Sequence, residues 1–163
     1  MTVLNPELER ANVEDRGAIL DLYVRTDGGQ RTLTEIQLRS GHHFTARSLF
    51  YWARAYAGQL VRGQKYGAIE PVTGIFILNY EELPGDRFHR TFRLLDTHDH
   101  APLSRDLELH FIELPKLRKA QADADRDPVL RWARFLAART DEELETLAWG
   151  AAHTDCPQRS GST

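Results

Sequence analysis

The sequence predicts an α/β domain with a mixed central sheet flanked by helices. Three observations predict it. Two stretches rich in β-branched and aromatic residues flank Asp27-Gly28-Gly29, the signature of a hairpin. An amphipathic helical stretch follows directly, and after it comes the continuous apolar run Ile75-Phe76-Ile77-Leu78, which suits a strand buried on both faces. A hairpin, a helix, three strands and then helices require that the first helix pack on one face of the sheet.

Taken in order, residues 1–16 form a polar lead-in marked by Asn5-Pro6, with little structure expected of its own. Strands are predicted over Ala18 to Val24 and Arg31 to Leu38. Phe44 to Arg62 reads as a helix, with apolar residues at Leu49, Trp52, Ala53, Tyr56 and Leu60 and a stop at Gly63. Strands follow at Pro71 to Tyr80, Phe88 to Leu95 and Asp106 to Leu114, the last two joined by the polar turn Asp96-Thr97-His98-Asp99-His100. Helices are expected over Leu117 to Ala124, over Pro128 to Ala138 with Asp127 as cap, and over Asp141 to Trp149 with Thr140 and Glu143 as a capping box. The main domain therefore spans residues 17–150, and residues 151–163 carry no periodicity and are expected to be disordered.

Composition narrows the function. A chain of 163 residues with 28% charged residues is that of an ordinary single-domain globule. A formal charge of −3 excludes a surface coated in basic residues, so a nucleic-acid site has to be a local patch. The single Cys156 excludes an internal disulfide framework and a cysteine metal cage, and fits a reducing cytoplasm. No apolar run approaches the roughly 18 residues of a membrane span, and the first sixteen residues carry four acids and no apolar core, so neither a membrane segment nor a signal peptide is expected.

The chemistry concentrates at Glu35-Ile36-Gln37. Side chains two apart on a strand share a face, so Glu35 and Gln37 point the same way, and Ile36 is expected to enter apolar packing on the other side. A three-residue loop Asp27-Gly28-Gly29, with Gly29 left-handed, would put Thr26 opposite Gln30 and Asp21 opposite Glu35; a two-residue loop would put the two acids on opposite faces. Facing carboxylates repel, which is costly without a cation between them. Phosphodiester cleavage uses such converging hard oxygen ligands around a divalent ion, whereas the bland alternative is a pair of solvated strand-end acids. Arg39, His42, His43, Arg47, Arg54, Arg62 and Lys65 place positive charge around the first helix, suited to backbone phosphates or to a solvated face. Trp52 and Tyr56 are expected in the core, the Asp96 to His100 cluster is expected to be turn rather than metal site, and Cys156 has no base near it in sequence.

Several ordered stretches carry a resemblance. Ala18-Ile19-Leu20-Asp21-Leu22, Glu35-Ile36-Gln37, Arg47 to Trp52 with Tyr56 and Gln59, Pro71-Val72, Arg93-Leu94-Leu95, Leu107 to Lys116 and Asp127-Pro128 with Trp132 and Phe135-Leu136 look like the PD-(D/E)XK nuclease family transposases, the Rpn recombination-promoting nuclease group. The resemblance covers about Leu4 to Leu136. It implies a restriction-endonuclease-like fold and a magnesium- or manganese-dependent DNA endonuclease, with Asp21 and Glu35 on the metal. Gln37 stands where the superfamily's catalytic lysine is usual. A neutral amide supplies no positive charge and accepts no proton at neutral pH, so its role is to orient water or substrate. Arg47, Tyr51 and Gln59 are the implied DNA contacts. Members that look similar carry a longer N-terminal region, whereas this chain begins twenty residues before Asp21. The competing expectation is therefore a truncated, catalytically inactive DNA-binding remnant, whose exposed sheet face would favour a homo-oligomer.

Overall fold

The computed structural model describes residues 1–4, 7–8, 18–19, 21–118, 132–134, 136 and 138. The chain divides into two compact units, Met1–Lys116 and Leu117–Thr163. In the second, residues 132–134 and 136 are helical, within the expected 128–138 segment. Of the helix expected over Leu117 to Ala124, Leu117 and Arg118 belong to a 3-10 helix, Leu114–Arg118, and the rest lies outside the described residues, as do the helix expected over 141–149 and the tail 151–163.

The first unit is built on a six-stranded mixed sheet. Its strands are β1 (Thr2–Val3), β4 (Leu22–Arg25), β5 (Arg31–Gln37), β6 (Val72–Leu78), β7 (His89–Arg93) and β8 (Leu107–Glu113), in the spatial order β1-β4-β5-β6-β8-β7. Strands β2 (Glu7–Leu8) and β3 (Ala18–Ile19) form a separate antiparallel pair. Two expectations change here. The strand predicted over Ala18 to Val24 is interrupted, with Asp21 in a bend between β3 and β4, because its two halves pair with different partners. The lead-in also has structure of its own, since Thr2 and Val3 pair with Arg25 and Val24 at the sheet edge.

The hairpin between β4 and β5 closes through Thr26 N–H to the Gln30 carbonyl at 2.8 Å, and Gly29 adopts φ 83°, a left-handed conformation that favours glycine. This three-residue loop sets the register at Arg25 opposite Arg31 and Leu22 opposite Thr34. One step further, Asp21 falls opposite Glu35. Two buttresses hold the other end of the hairpin: Glu70 accepts from Arg25 Nε at 2.7 Å and from Arg31 Nε at 2.9 Å.

Strands β5, β6 and β8 run parallel, and β7 returns antiparallel along β8. The connection from β5 to β6 is the helix α1 (Phe44–Ala57). Its core-facing residues are Phe44, Ser48 and Ala55, with Tyr51, Trp52 and Tyr56 partly buried against the cluster Leu33, Val72, Phe76, Leu78, Leu109 and Phe111. Leu49 and Ala53, expected on the buried face, point outward. Trp52 Nε1 donates to the Val72 carbonyl at 2.9 Å and Tyr56 Oη to Asp106 at 2.8 Å, so these aromatics anchor the helix across the start of the parallel strands. α1 ends at Ala57, five residues before the predicted Arg62. A Cβ at Gly58 would lie 2.9 Å from the Arg54 carbonyl, and Gln59 is taken by the chain before β6, as described below.

α1 covers the sheet face that bears Leu33 and Glu35. On the other face Ile36 is 46% exposed, which corrects its expected place in apolar packing.

Candidate active site

Parallel strands leave their carboxyl ends open for ligands, and the chemistry-bearing residues of this sheet gather there. Glu35 sits near the end of β5 on the same face as the core residue Leu33, only 6% exposed. Gln37 Nε2 donates to Glu35 Oε1 at 2.9 Å. Because a carboxylate only accepts, this bond orients the amide and leaves Gln37 Oε1 as an acceptor. Asp21 Oδ2 accepts the main-chain N–H of Ile36 at 2.6 Å, which ties the bend before β4 to the strand carrying Glu35. Glu35 Oε2 is buried and has no hydrogen-bond partner among the described residues.

These surroundings push the Glu35 carboxyl above its ordinary range. Burial is the largest cause and the Asp21 charge the next; Arg47, a main-chain bond from Asp21 and the Gln37 amide oppose them. Arg47 comes from the first turns of α1, its guanidinium 4.8 Å from the centroid of the Phe44 ring and 6.0 Å from that of Tyr51. Its Nε and Nη2 are buried without partners among the described residues. Tyr51, one turn further, is held protonated to higher pH by burial first and Glu35 second. The structure thus brings Asp21, Glu35, Gln37, Arg47 and Tyr51 together.

Gln59 lies elsewhere. Its Nε2 donates to the Glu70 carbonyl at 3.0 Å and its Oε1 accepts the Glu70 N–H at 2.9 Å, so its amide clamps the chain entering β6, at the amino ends of the parallel strands. The basic residues divide likewise. Arg39, His42 and His43 lie on the β5–α1 connection beside Gln37, whereas Arg62 and Lys65 lie beyond the far end of the helix. In the Asp96 to His100 turn, Asp96 Oδ1 accepts from the main chain of His98 and Asp99, which is turn chemistry.

Residues that sequence reasoning left without a role complete this end of the sheet. Glu113, at the end of β8, is fully buried; its Oε1 accepts the N–H groups of Glu82 and Leu83 at 2.6 and 3.0 Å, and its Oε2 pairs with Lys116 Nζ at 2.7 Å. Lys116, also fully buried, donates to the Leu83 carbonyl. The pair therefore pins the segment after β6. A Glu and a Lys three apart in the run Glu113-Leu114-Pro115-Lys116 was the available signal for it.

The donor set around Glu35 suits a hard divalent cation: two facing carboxylates, one with an orphaned buried oxygen, beside the Gln37 amide. Among the described residues no group of three or more His, Cys, Asp or Glu converges as a closed metal cage. Magnesium is commonly held by one or two carboxylates with water and phosphate completing its shell, which two acids match. A family model described as PD-(D/E)XK nuclease family transposase matches residues 1–152 of the chain. No curated protein and no solved structure matches it.

Proposed function

Since the chain belongs to the PD-(D/E)XK nuclease family transposases, with the mixed sheet of a restriction-endonuclease-like α/β fold, we propose that it is a metal-dependent DNA endonuclease acting at Asp21, Glu35 and Gln37. The observation that carries this reading is the buried Glu35, repelled by Asp21 and left with one unpartnered oxygen. Such an arrangement is a standing cost unless a cation relieves it.

Magnesium or manganese held by Asp21 and Glu35 would neutralise charge on the scissile phosphate. The protein's own groups do the rest. Ile36 N–H holds Asp21 in place, and the Gln37 amide, oriented by Glu35 Oε1, offers its Oε1 to a proton of the attacking water. Arg47 and Tyr51 face the phosphate backbone. Water adds to phosphorus as the bond from phosphorus to the leaving sugar oxygen breaks, the proton that the water loses passing to solvent and the leaving oxygen taking one from solvent. The cytoplasm is the proposed compartment, on the single cysteine; no helix among the described residues is long and apolar enough to cross a membrane.

The test is a titration of magnesium or manganese into purified protein with supercoiled plasmid, with Glu35→Ala run alongside. Metal-dependent nicking that disappears in the variant is expected. Nicking that survives Glu35→Ala would overturn the site. A folded protein that binds plasmid without metal and never nicks it would favour a binding-only remnant, a reading to which the neutral Gln37 lends support. That remnant would bind DNA salt-sensitively, with Asp21→Ala neutral or slightly favourable because an acid beside phosphate repels it.

A further inference from the structure

Five buried side-chain polar atoms of the described residues lack a hydrogen-bond partner: Glu35 Oε2, Arg47 Nε, Arg47 Nη2, Tyr80 Oη and Arg90 Nε. The first four belong to three neighbouring residues. Arg47 and Tyr80 share the Phe44 ring, the guanidinium 4.8 Å from its centroid and the Tyr80 ring 6.3 Å from it, edge-on. Tyr80 emerges two residues beyond β6, directly after Asn79, whose N–H donates to the Gln37 carbonyl at 2.9 Å. Both Arg47 and Tyr80 are half-buried as residues while their orphaned donors are closed to solvent, so an anion reaches those donors once the exposed parts of the two side chains shift.

The chemistry of these first four orphans is lopsided. One is an acceptor, Glu35 Oε2, which suits a cation. Three are donors, two of them on a charged guanidinium, and they suit an anionic oxygen. Buried donors with no partner are rare because each carries a cost that an apolar residue would not. Other nearby acceptors are already engaged: Glu113 by Lys116 and two main-chain N–H groups, and Glu82 Oε1 by the Thr45 hydroxyl.

We propose that Arg47 and Tyr80 together form a phosphate-binding subsite for one backbone phosphate of DNA, with the Tyr80 hydroxyl as its uncharged donor. This deepens the nuclease reading and rests on it. Tyr80 is then a substrate-positioning residue, and its hydroxyl is retained at a cost to the free protein. Burial first, and Glu82 next, keep that phenol protonated to higher pH, with Arg47 opposing them, so it stays a donor.

The experiment measures affinity for a labelled DNA duplex without divalent metal, across a range of sodium chloride, for the wild type, Tyr80→Phe, Arg47→Gln and the double variant. Tyr80→Phe should weaken binding about tenfold or more with its salt slope unchanged, and should raise the thermal midpoint because an orphaned hydroxyl has gone. Arg47→Gln should weaken binding at least as much and lower the salt slope by about one. The double variant should lose less than the product of the two effects, since both residues hold the same phosphate. Wild-type affinity in Tyr80→Phe, an unchanged slope in Arg47→Gln, or multiplicative losses would each overturn the subsite while leaving the nuclease reading standing. A wild type that binds no DNA either without metal or with calcium added would instead overturn the nuclease reading itself.

Discussion

Replacing Glu35 with glutamine should make the metal-free protein more stable and, in the same substitution, abolish its response to magnesium. The side chain keeps its shape, so packing is preserved. What changes is a charge that is 6% exposed, faces Asp21 and leaves Oε2 without a partner. An unsatisfied buried group costs about 1–3 kcal/mol, and Gln37 and Arg47 already recover part of that, so a gain of about 1–2 kcal/mol is expected. For a chain of this length that is a rise of roughly 2–8 °C in thermal midpoint. With magnesium at about a hundredfold excess over its dissociation constant, the wild type should gain about 2.7 kcal/mol and overtake the variant, which gains little. The pH dependence has a definite sign. A carboxyl raised in the folded state binds its proton more tightly there than in the unfolded chain, so stability falls as pH rises from the ordinary 4.5 through the folded value. The gap between the variant and the wild type should therefore close in acid and open towards neutral pH. Differential scanning calorimetry with and without magnesium, at several pH values, reads all of this. A variant less stable than the wild type without metal, or one equally stabilised by magnesium, would refute the reasoning.

Three further outcomes follow from other contacts. Lys116→Met should cost about 3–5 kcal/mol in urea denaturation, because it leaves the fully buried Glu113 carboxylate without its cation; Lys116→Met with Glu113→Gln should recover part of that loss. Gln59→Ala should destabilise by about 1–3 kcal/mol by freeing the Glu70 main-chain groups, with DNA affinity unchanged in a binding isotherm. Glu70 is held down to about 2 by Arg25 first and Arg31 second, so its contribution is complete above 4.5 and is lost as pH falls towards 2. An acid titration of Glu70→Gln against the wild type should show the two curves converging at the acid end, as for Glu35, but with the wild type rather than the variant the more stable towards neutral pH.

The parts of this fold that were legible in sequence are those fixed by short-range chemistry. Asp27-Gly28-Gly29 marks the turn but leaves its length open between two and three residues; with Gly29 left-handed the loop is three residues long, and the opposition of Asp21 and Glu35 follows by counting. The apolar run of β6 is legible because a central strand needs apolar side chains on both faces. The end of α1 was not legible, because the residues after Ala57 continue a plausible helical period, and what stops them is a tertiary bond between Gln59 and Glu70. The break before Asp21 was hidden for the same reason, since two strand-like halves are separated only by their choice of partner. At the site, Glu35, Gln37 and Arg47 belong to local motifs, but Tyr80 lies forty-three residues from Gln37 and reaches it only through the parallel pairing of β5 and β6. No pattern within a strand or helix encodes that meeting.

The two ends of β5 show how one strand serves stability and chemistry by opposite electrostatics. At its start Arg31, joined by Arg25, satisfies Glu70, and the acid's proton affinity falls. Four residues on, Glu35 is buried against another acid, and its proton affinity rises. Glu35 stands on the hairpin and Glu70 on the chain entering β6, and what the pairing sets beside each is of opposite charge. A basic residue at position 37 would have relieved Glu35 from within the chain, as Arg31 helps relieve Glu70. Gln37 instead gives it a single neutral hydrogen bond, and Arg47 approaches without forming an ion pair with it. The strand thus ends in a carboxylate whose remaining partner is not supplied by the described residues. That is the condition under which binding a cation, and then an anion beside it, can draw on free energy the fold has left unspent.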